Sequence, residues 1–332
     1  MKKLYLITVV TLMILMMACT PNGPDTDNFD QAARVADDVQ TTNLMPWVEQ
    51  LASARLNDTP VDNEGFSSKD LFPSDHLTRN AAVGIISQGF KSMGYQPDTI
   101  VLTKNGQTTY NVVVEWPGTT RPEEVVLVGS HLDGFYAAAD DNGSAIAAML
   151  ETARAVRNHN FARTIRFVSF DLEEFGAIGS TRYVEAGYAD DVYMAIVMDM
   201  IGYATDEPDS QDDVMGVKLP DTGDFLLVVG NNDSAEMTEE MIALGNSSGK
   251  ANLVGLIAPG DGSYFLASAF MRSDHGLLWY QGIPALLLTD TGNFRNKNYH
   301  KATDLPETLN PDFLAANTKA LAAAVALFAE VL

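Results

Sequence analysis

The amino-acid sequence predicts an α/β fold, a mostly parallel mixed sheet flanked by helices on both faces. Three observations carry this reading. Short β-branched runs alternate with alanine-rich or amphipathic stretches through the middle of the chain, the pattern of βαβ units. Those runs are almost wholly apolar, as strands covered on both faces are. Hydrophobic residues make up 46% of the 332 positions and charged residues 20%, which suits a sizeable packed core.

The elements follow in chain order. Lys2 and Lys3 precede an apolar run from Leu4 to Ala18. At about 15 residues that run fits an export signal and is short for a membrane span. It ends in Met16-Met17-Ala18-Cys19 and resembles a bacterial lipoprotein signal, in which Cys19 becomes the lipidated first residue. Cys19 is the only cysteine, so an exported chain has no internal disulfide and lipidation gives this thiol a use. Residues 19–40 are polar, with Pro21, Gly23, Pro24 and several aspartates, and read as a disordered tether. The signal is therefore expected over 1–18 and one globular domain over 41–332.

Within that domain a helix is expected over 81–93, with Asn80 as its N-cap. Strands are expected at 110–116 (YNVVVEW) and 124–129 (EVVLVG). The helix expected over 144–156 is rich in alanine and can pack close to a sheet. Then come a strand at 164–170, a helix near 180–186, strands at 193–198 and 224–229, a helix over 234–244 and a strand at 284–288. Residues 206–223 break the alternation with an acidic, turn-rich surface insertion. The last segment places Leu314, Leu321, Val325, Phe328 and Leu332 at helical spacing around Lys319 and Glu330, an amphipathic closing helix and not a membrane span. No internal repeat is evident.

Charge narrows the function. The chain carries 44 acidic and 21 basic residues, a formal net charge of -23. Nucleic acid is excluded as a partner, because phosphate binding needs a basic stripe. Most of this charge is a solvated acidic surface, which also favours cations.

In open α/β sheets the active site lies beyond the carboxyl ends of the strands. Ser130-His131-Leu132-Asp133 follows one strand, Asp171-Leu172-Glu173-Glu174 the next, and Asp199 a third. Asp140-Asp141-Asn142 precedes the alanine-rich helix, and Tyr299-His300 follows the last strand. Each fragment alone is ordinary: a lone histidine is usually structural, and Asp-Asp-Asn is a common helix cap. Five such fragments at strand ends and adjoining loops imply a metal site of nitrogen and oxygen donors without thiolate, the chemistry of zinc. Asp133, two residues past His131 in an extended segment, is expected on the same face, holding the second imidazole nitrogen.

The motifs GSHLDG (129–134), AADDNGSAIAA (138–148), DLEEFGAIGS (171–180), MDMIGY (198–203), SDH (273–275) and NYHKATDLPETL (298–309) stand in this order. With them the chain resembles the zinc aminopeptidases typified by bacterial leucyl aminopeptidases, metallopeptidase family twenty-eight, from about Tyr110 to the C-terminus. The resemblance implies a zinc exopeptidase fold and two zinc ions per chain. His131 and Asp199 would hold one ion, Glu174 and His300 the other, and Asp141 would bridge them. It makes Glu173 the catalytic carboxylate, taking a proton from the bridging water and returning it to the leaving amine. Asp133 would orient His131. Ser273, Asp274 and His275 would line the site, and Met200, Phe270, Phe294 and Tyr299 are expected in a side-chain pocket. The implied substrate is a peptide attacked at its amino end. The lipoprotein-like signal implies export, with the protein facing the periplasm or the exterior and attached to a membrane only through Cys19.

The chain departs from the pattern at Phe270, where some members carry a tyrosine that helps the oxyanion, and it has no disulfide near that loop. Rival readings on the same scaffold are a single-zinc glutaminyl cyclase, a carboxypeptidase or dipeptidase, and a non-catalytic binding protein. Tyr299 before the last histidine, where the cyclase pattern has tryptophan, and the short run 175–180 after the paired acids favour the peptidase. The intact ligand set with Glu173 opposes a non-catalytic role.

Overall fold

An eight-stranded sheet organises the molecule, in the spatial order β2-β3-β6-β4-β7-β10-β8-β9. The structure is a computed structural model and describes residues 26–61, 76–214, 216–248, 251–260 and 270–332. The export signal and Cys19 lie outside the described residues. The strands are β2 (Asp98–Lys104), β3 (Gln107–Trp116), β4 (Arg121–His131), β6 (Arg163–Phe170), β7 (Val192–Met198), β8 (Leu226–Gly230), β9 (Leu253–Ile257) and β10 (Ala285–Thr289). Two short strands, β1 (Leu77–Thr78) and β5 (Gly134–Phe135), pair antiparallel beside the sheet.

The central strands β6, β4, β7 and β10 run parallel. The mixed character comes from the flanks, where β2 pairs with β3, β3 with β6 and β10 with β8 in antiparallel register. β4 is the switch point. The chain leaves it through α4 (Gly143–Val156) to β6 on one side, then through α5 (Ile178–Glu185) to β7 on the other. A crevice opens where neighbouring connections depart in opposite directions, so the carboxyl ends of β4, β6 and β7 are where a site belongs.

Both faces of the sheet are covered. Val126 and Val128 of β4 join one core with α4 and α8 (Pro311–Phe328), while Leu127 joins the other with Tyr183 of α5 and Trp279 of α7 (His275–Tyr280). This alternation follows the pleat of the strand. In α4 every residue except Arg154 is buried, and its alanines let it lie between the sheet and the helices α2 (Leu44–Arg55) and α8. The first core also takes in α3 (Asn80–Ser92) and α6 (Ala235–Ser248). No helix among the described residues is long and apolar enough to cross a membrane.

The tether expected over 19–40 is corrected by helix α1 (Thr26–Asp37), which packs on α8. Ala32, Val35, Ala36 and Val39 repeat at helical spacing and are buried. α8 is alanine-rich nearly all round, so its far side needs a cover, and α1 supplies it. The expected cap at Asn80 also shifts: Arg79 is the N-cap and Asn80 begins the helix. Strands β2 and β9 were not expected. Both are edge strands with partly exposed residues, and they carry too little apolar alternation to stand out.

Candidate metal centre

Two groups of three potential ligands sit at the carboxyl edge of the parallel strands. The first is His131, Asp141 and Asp199; the second is Asp141, Glu174 and His300. Within each group the ligand atoms lie within 4.8 Å of one another. His131 ends β4, Asp199 follows β7 directly, and Glu174 follows β6 by four residues. Asp141 lies in the turn entering α4, and His300 in the loop after β10.

Asp141 belongs to both groups. Its Oδ1 is 3.2 Å from His131 Nε2, and its Oδ2 is 3.1 Å from His300 Nε2. Asp199 Oδ1 lies 3.4 Å from His131 Nε2, and Glu174 Oε2 lies 2.8 Å from His300 Nε2. Both oxygens of Asp141 and Oε1 of Glu174 are buried and accept no hydrogen bond. Buried carboxylate oxygens without donors are costly unless a cation satisfies them. The donor set, imidazole and carboxylate only, fits a borderline or hard divalent metal.

Titration behaviour reflects the same deficit of positive charge. Burial pulls the His131 imidazole down, but contacts with Asp133, Asp141 and Asp199 raise it well above its ordinary value. Against burial, Glu174 and Asp141 push His300 up to about 10. For Asp141, the two imidazoles outweigh burial and hold the carboxyl below the usual range. Both imidazole shifts mark a site short of positive charge, which a metal held by these residues would supply.

Glu173 is beside both groups and takes part in neither. Burial, with the Asp199, Glu174 and Asp274 carboxylates, pushes its carboxyl well above the ordinary range, and His131 opposes the shift. Burial and the Asp141 carboxylate likewise push Glu174 up to about 7.

The support around these groups differs in part from expectation. His131 Nδ1 lies 3.1 Å from the backbone carbonyl of Asp133 and 3.6 Å from its carboxylate. The carboxylate thus stands beside the ring as expected, while the carbonyl makes the closer contact. The Asp133 carboxylate also accepts the backbone N–H groups of Glu173 (3.1 Å) and Glu174 (3.2 Å) and holds the paired acids. Asp304 does the same for the other turn, accepting N–H groups from Asp140 (2.9 Å) and Asp141 (3.1 Å). Asn142 Nδ2 donates to the Met198 carbonyl at 2.9 Å and ties that turn to the end of β7. Arg55 of α2 is buried and donates to the carbonyls of Leu132 (2.9 Å) and Ala138 (2.7 Å). Its guanidinium faces the charges of Asp133, Asp141, Asp304 and Glu174. Asp304 stands in a quoted motif without a role assigned to it, and Arg55 carried no sequence signal.

A solvent-open cleft lies over Asp141, Glu173, Glu174 and Asp199. Five of the expected lining residues face it: Met200, Phe270, Ser273, Phe294 and Tyr299. Asp274 and His275 do not line it, because Asp274 is the N-cap of α7 and His275 enters that helix, both fully buried. His275 Nε2 donates to the Phe270 carbonyl, and its ring meets Trp279 edge-on at 4.6 Å. The 206–223 insertion reaches the site, since Val214 lines the cleft and Gln211 accepts from Thr291 (3.0 Å) and Arg295 (2.8 Å).

A family model described as Peptidase family M28 matches residues 111–325. Uncharacterized protein YfbL of Escherichia coli is 28% identical over 290 residues, 80% of this chain and 87% of that one. Leucine aminopeptidase 2 of Trichophyton rubrum is 26% identical over 239 residues, 68% of this chain but 46% of that one. The chain thus spans less than half the length of that relative. Among solved structures, the Legionella pneumophila LapA aminopeptidase has a TM-score of 0.63 at 17% identity, covering 90% of this chain and 75% of that one. Glutaminyl cyclase of Fimbriiglobus ruber has a TM-score of 0.59 at 15% identity, covering 87% and 95%. These likenesses to solved structures concern the fold.

Proposed function

The chain belongs to peptidase family M28, and from that premise we propose that it is a two-zinc aminopeptidase that removes N-terminal residues from peptides. One observation carries the metal count: two complete ligand groups share the doubly orphaned carboxylate of Asp141. A single-zinc cyclase needs only one such group. The names of the leucine aminopeptidase relatives support attack at the amino end.

Zinc bound at the two groups would supply positive charge that polarises the scissile carbonyl and acidifies the attacking water. His131 and Asp199 would hold one ion and Glu174 and His300 the other, with Asp141 between them. Glu173 accepts the proton of the water and then delivers the same proton to the leaving amine. Burial beside three other carboxylates raises its proton affinity in the metal-free protein, the direction a proton carrier needs. The apolar wall of Phe270, Phe294, Val229 and Leu287 receives the first side chain. Export and a lipid anchor at Cys19 complete the proposal, and a Cys19→Ser chain released from membranes into the soluble fraction is the expected sign of that anchor.

The test of the reading combines metal analysis with kinetics. The mature protein is expected to hold two zinc ions per chain and to hydrolyse leucine p-nitroanilide. Glu173→Gln is expected to keep both ions and to lower kcat by roughly 10²–10⁴-fold, the usual contribution of a general base. One ion per chain together with cyclisation of glutaminyl peptides would replace the reading with the cyclase alternative.

A further inference from the structure

Arg272 is the only cation on the cleft lining among the described residues, and it faces the same space as four carboxylates. It is exposed, and among the described residues its hydrogen bonds go to neutral groups. Nη1 donates to Asn293 Oδ1 at 2.8 Å and Nη2 to the Tyr299 hydroxyl at 3.4 Å. In a chain with 44 acidic residues, a guanidinium at the rim of an acidic cleft would ordinarily be held by a carboxylate. Among the described residues, two neutral residues of the loop after β10 fix it and no carboxylate pairs with it. It is also close to the metal centre, because the Tyr299 ring that it meets stacks on His300 with centroids 3.8 Å apart.

We propose that Arg272 is a specificity-determining residue that receives a carboxylate of the substrate. That carboxylate is the C-terminus of a short peptide or the side chain of an acidic N-terminal residue. The inference rests on the peptidase reading above. Guanidinium and carboxylate match as a planar fork, and a fixed guanidinium loses less freedom on binding. Three of the four carboxylates on the lining would be engaged by the metal ions, so Arg272 is the one cationic side chain on the described lining that is left to meet a substrate carboxylate away from the metals. Neither the metal ligands nor the proton transfers of Glu173 require an arginine at the rim.

The experiment uses the zinc-loaded mature protein and two matched pairs: leucyl-leucine against its C-terminal amide, and glutamyl against glutaminyl p-nitroanilide. The wild type is expected to prefer the carboxylate-bearing member of at least one pair. In Arg272→Ala the preference ratio in kcat/KM should fall roughly tenfold or more, mainly through KM, as expected for a lost charge-assisted contact. Arg272→Lys should recover part of it. The dipeptide pair responding identifies the C-terminal carboxylate, and the anilide pair the acidic side chain. Ratios near one in both wild-type pairs, or ratios that Arg272→Ala leaves unchanged, overturn the proposal. Hydrolysis of leucine p-nitroanilide alongside flat ratios sinks this inference alone. If no substrate is cleaved, the peptidase reading falls and this inference with it.

Discussion

The two ligand groups share Asp141 and are otherwise built on different principles. His131 and Asp199 come from the ends of β4 and β7, adjacent parallel strands with a common ladder. The His131 side chain is 1% exposed, and a main-chain carbonyl fixes its second nitrogen. His300 is 23% exposed and sits on a loop with a left-handed backbone, φ +57. Ring contacts hold it, with Tyr299 stacked at 3.8 Å and Phe135 at 4.8 Å. The first group is part of the sheet's own framework. The second is assembled on it by a loop, and loops open at lower free energy than core strands. The two sites should therefore differ in affinity and in how far they report on the stability of the fold.

The largest effect is expected at the shared residue. Asp141→Ala should abolish hydrolysis and stoichiometric zinc at both sites, while circular dichroism stays near native. A variant that still holds one tightly bound ion would show that the groups are not joined through Asp141.

The comparison is sharpest in a pair of variants. His300→Ala should keep one zinc per chain with affinity close to the tighter wild-type site and lose little in Tm. His131→Ala should bind zinc more weakly at both sites and lose more Tm, because it empties a buried position. Isothermal titration and calorimetry measure both quantities. The opposite order of Tm losses would break the distinction between framework and loop.

Asp304→Asn acts on both groups through one turn. An amide has one acceptor oxygen, so it can keep only one of the two N–H groups that Asp304 receives from Asp140 and Asp141. Zinc affinity should fall roughly 10–100-fold, as it does when a ligand's supporting partner is lost. Equal weakening of both sites is expected, and weakening of one alone would separate the turn from the shared ligand.

The smallest effect lies in the wall behind the cleft. Burial lowers the His275 imidazole to about 4, against opposing contributions from the Phe270 carbonyl and Asp199. Its folded value is below the unfolded one, so the unfolded chain takes up the proton first. The stability from neutral His275 is complete above about pH 6.5 and is lost as pH falls toward 4, about 3 kcal/mol in all. Urea midpoints of the metal-free protein and His275→Asn, taken between pH 7 and 4.5, measure this. His131 and His300 titrate in the opposite sense and are common to both chains, so the difference isolates His275. Parallel curves would remove it as a source of acid sensitivity.

The candidate ligand residues were legible because α/β sheets place chemistry where strands stop, and the strands around them are long apolar runs. His131, Glu174 and Asp199 need only that rule. The roles of Asp133 and Asp304 were less legible, because which oxygen reaches which N–H depends on where a strand ends to within one residue. α1 was missed although Ala32, Val35, Ala36 and Val39 have helical spacing. Small apolar residues among aspartates give a weak pattern, and what they cover, α8, is distant in sequence. β2 and β9 were missed because an edge strand keeps one side polar.

Arg55 has a practical consequence. The match to the family model begins at residue 111, and Arg55 lies well upstream of that boundary. Its guanidinium nevertheless clamps the carbonyls on either side of the bend between His131 and Asp141. A protein trimmed to the matched region would keep every ligand and lose the buried cation that faces four of the site's carboxylates. The unit that holds this site together is thus larger than the region the family model matches, and engineering that treats the first hundred residues as dispensable would remove the counter-charge that faces the acid-rich centre.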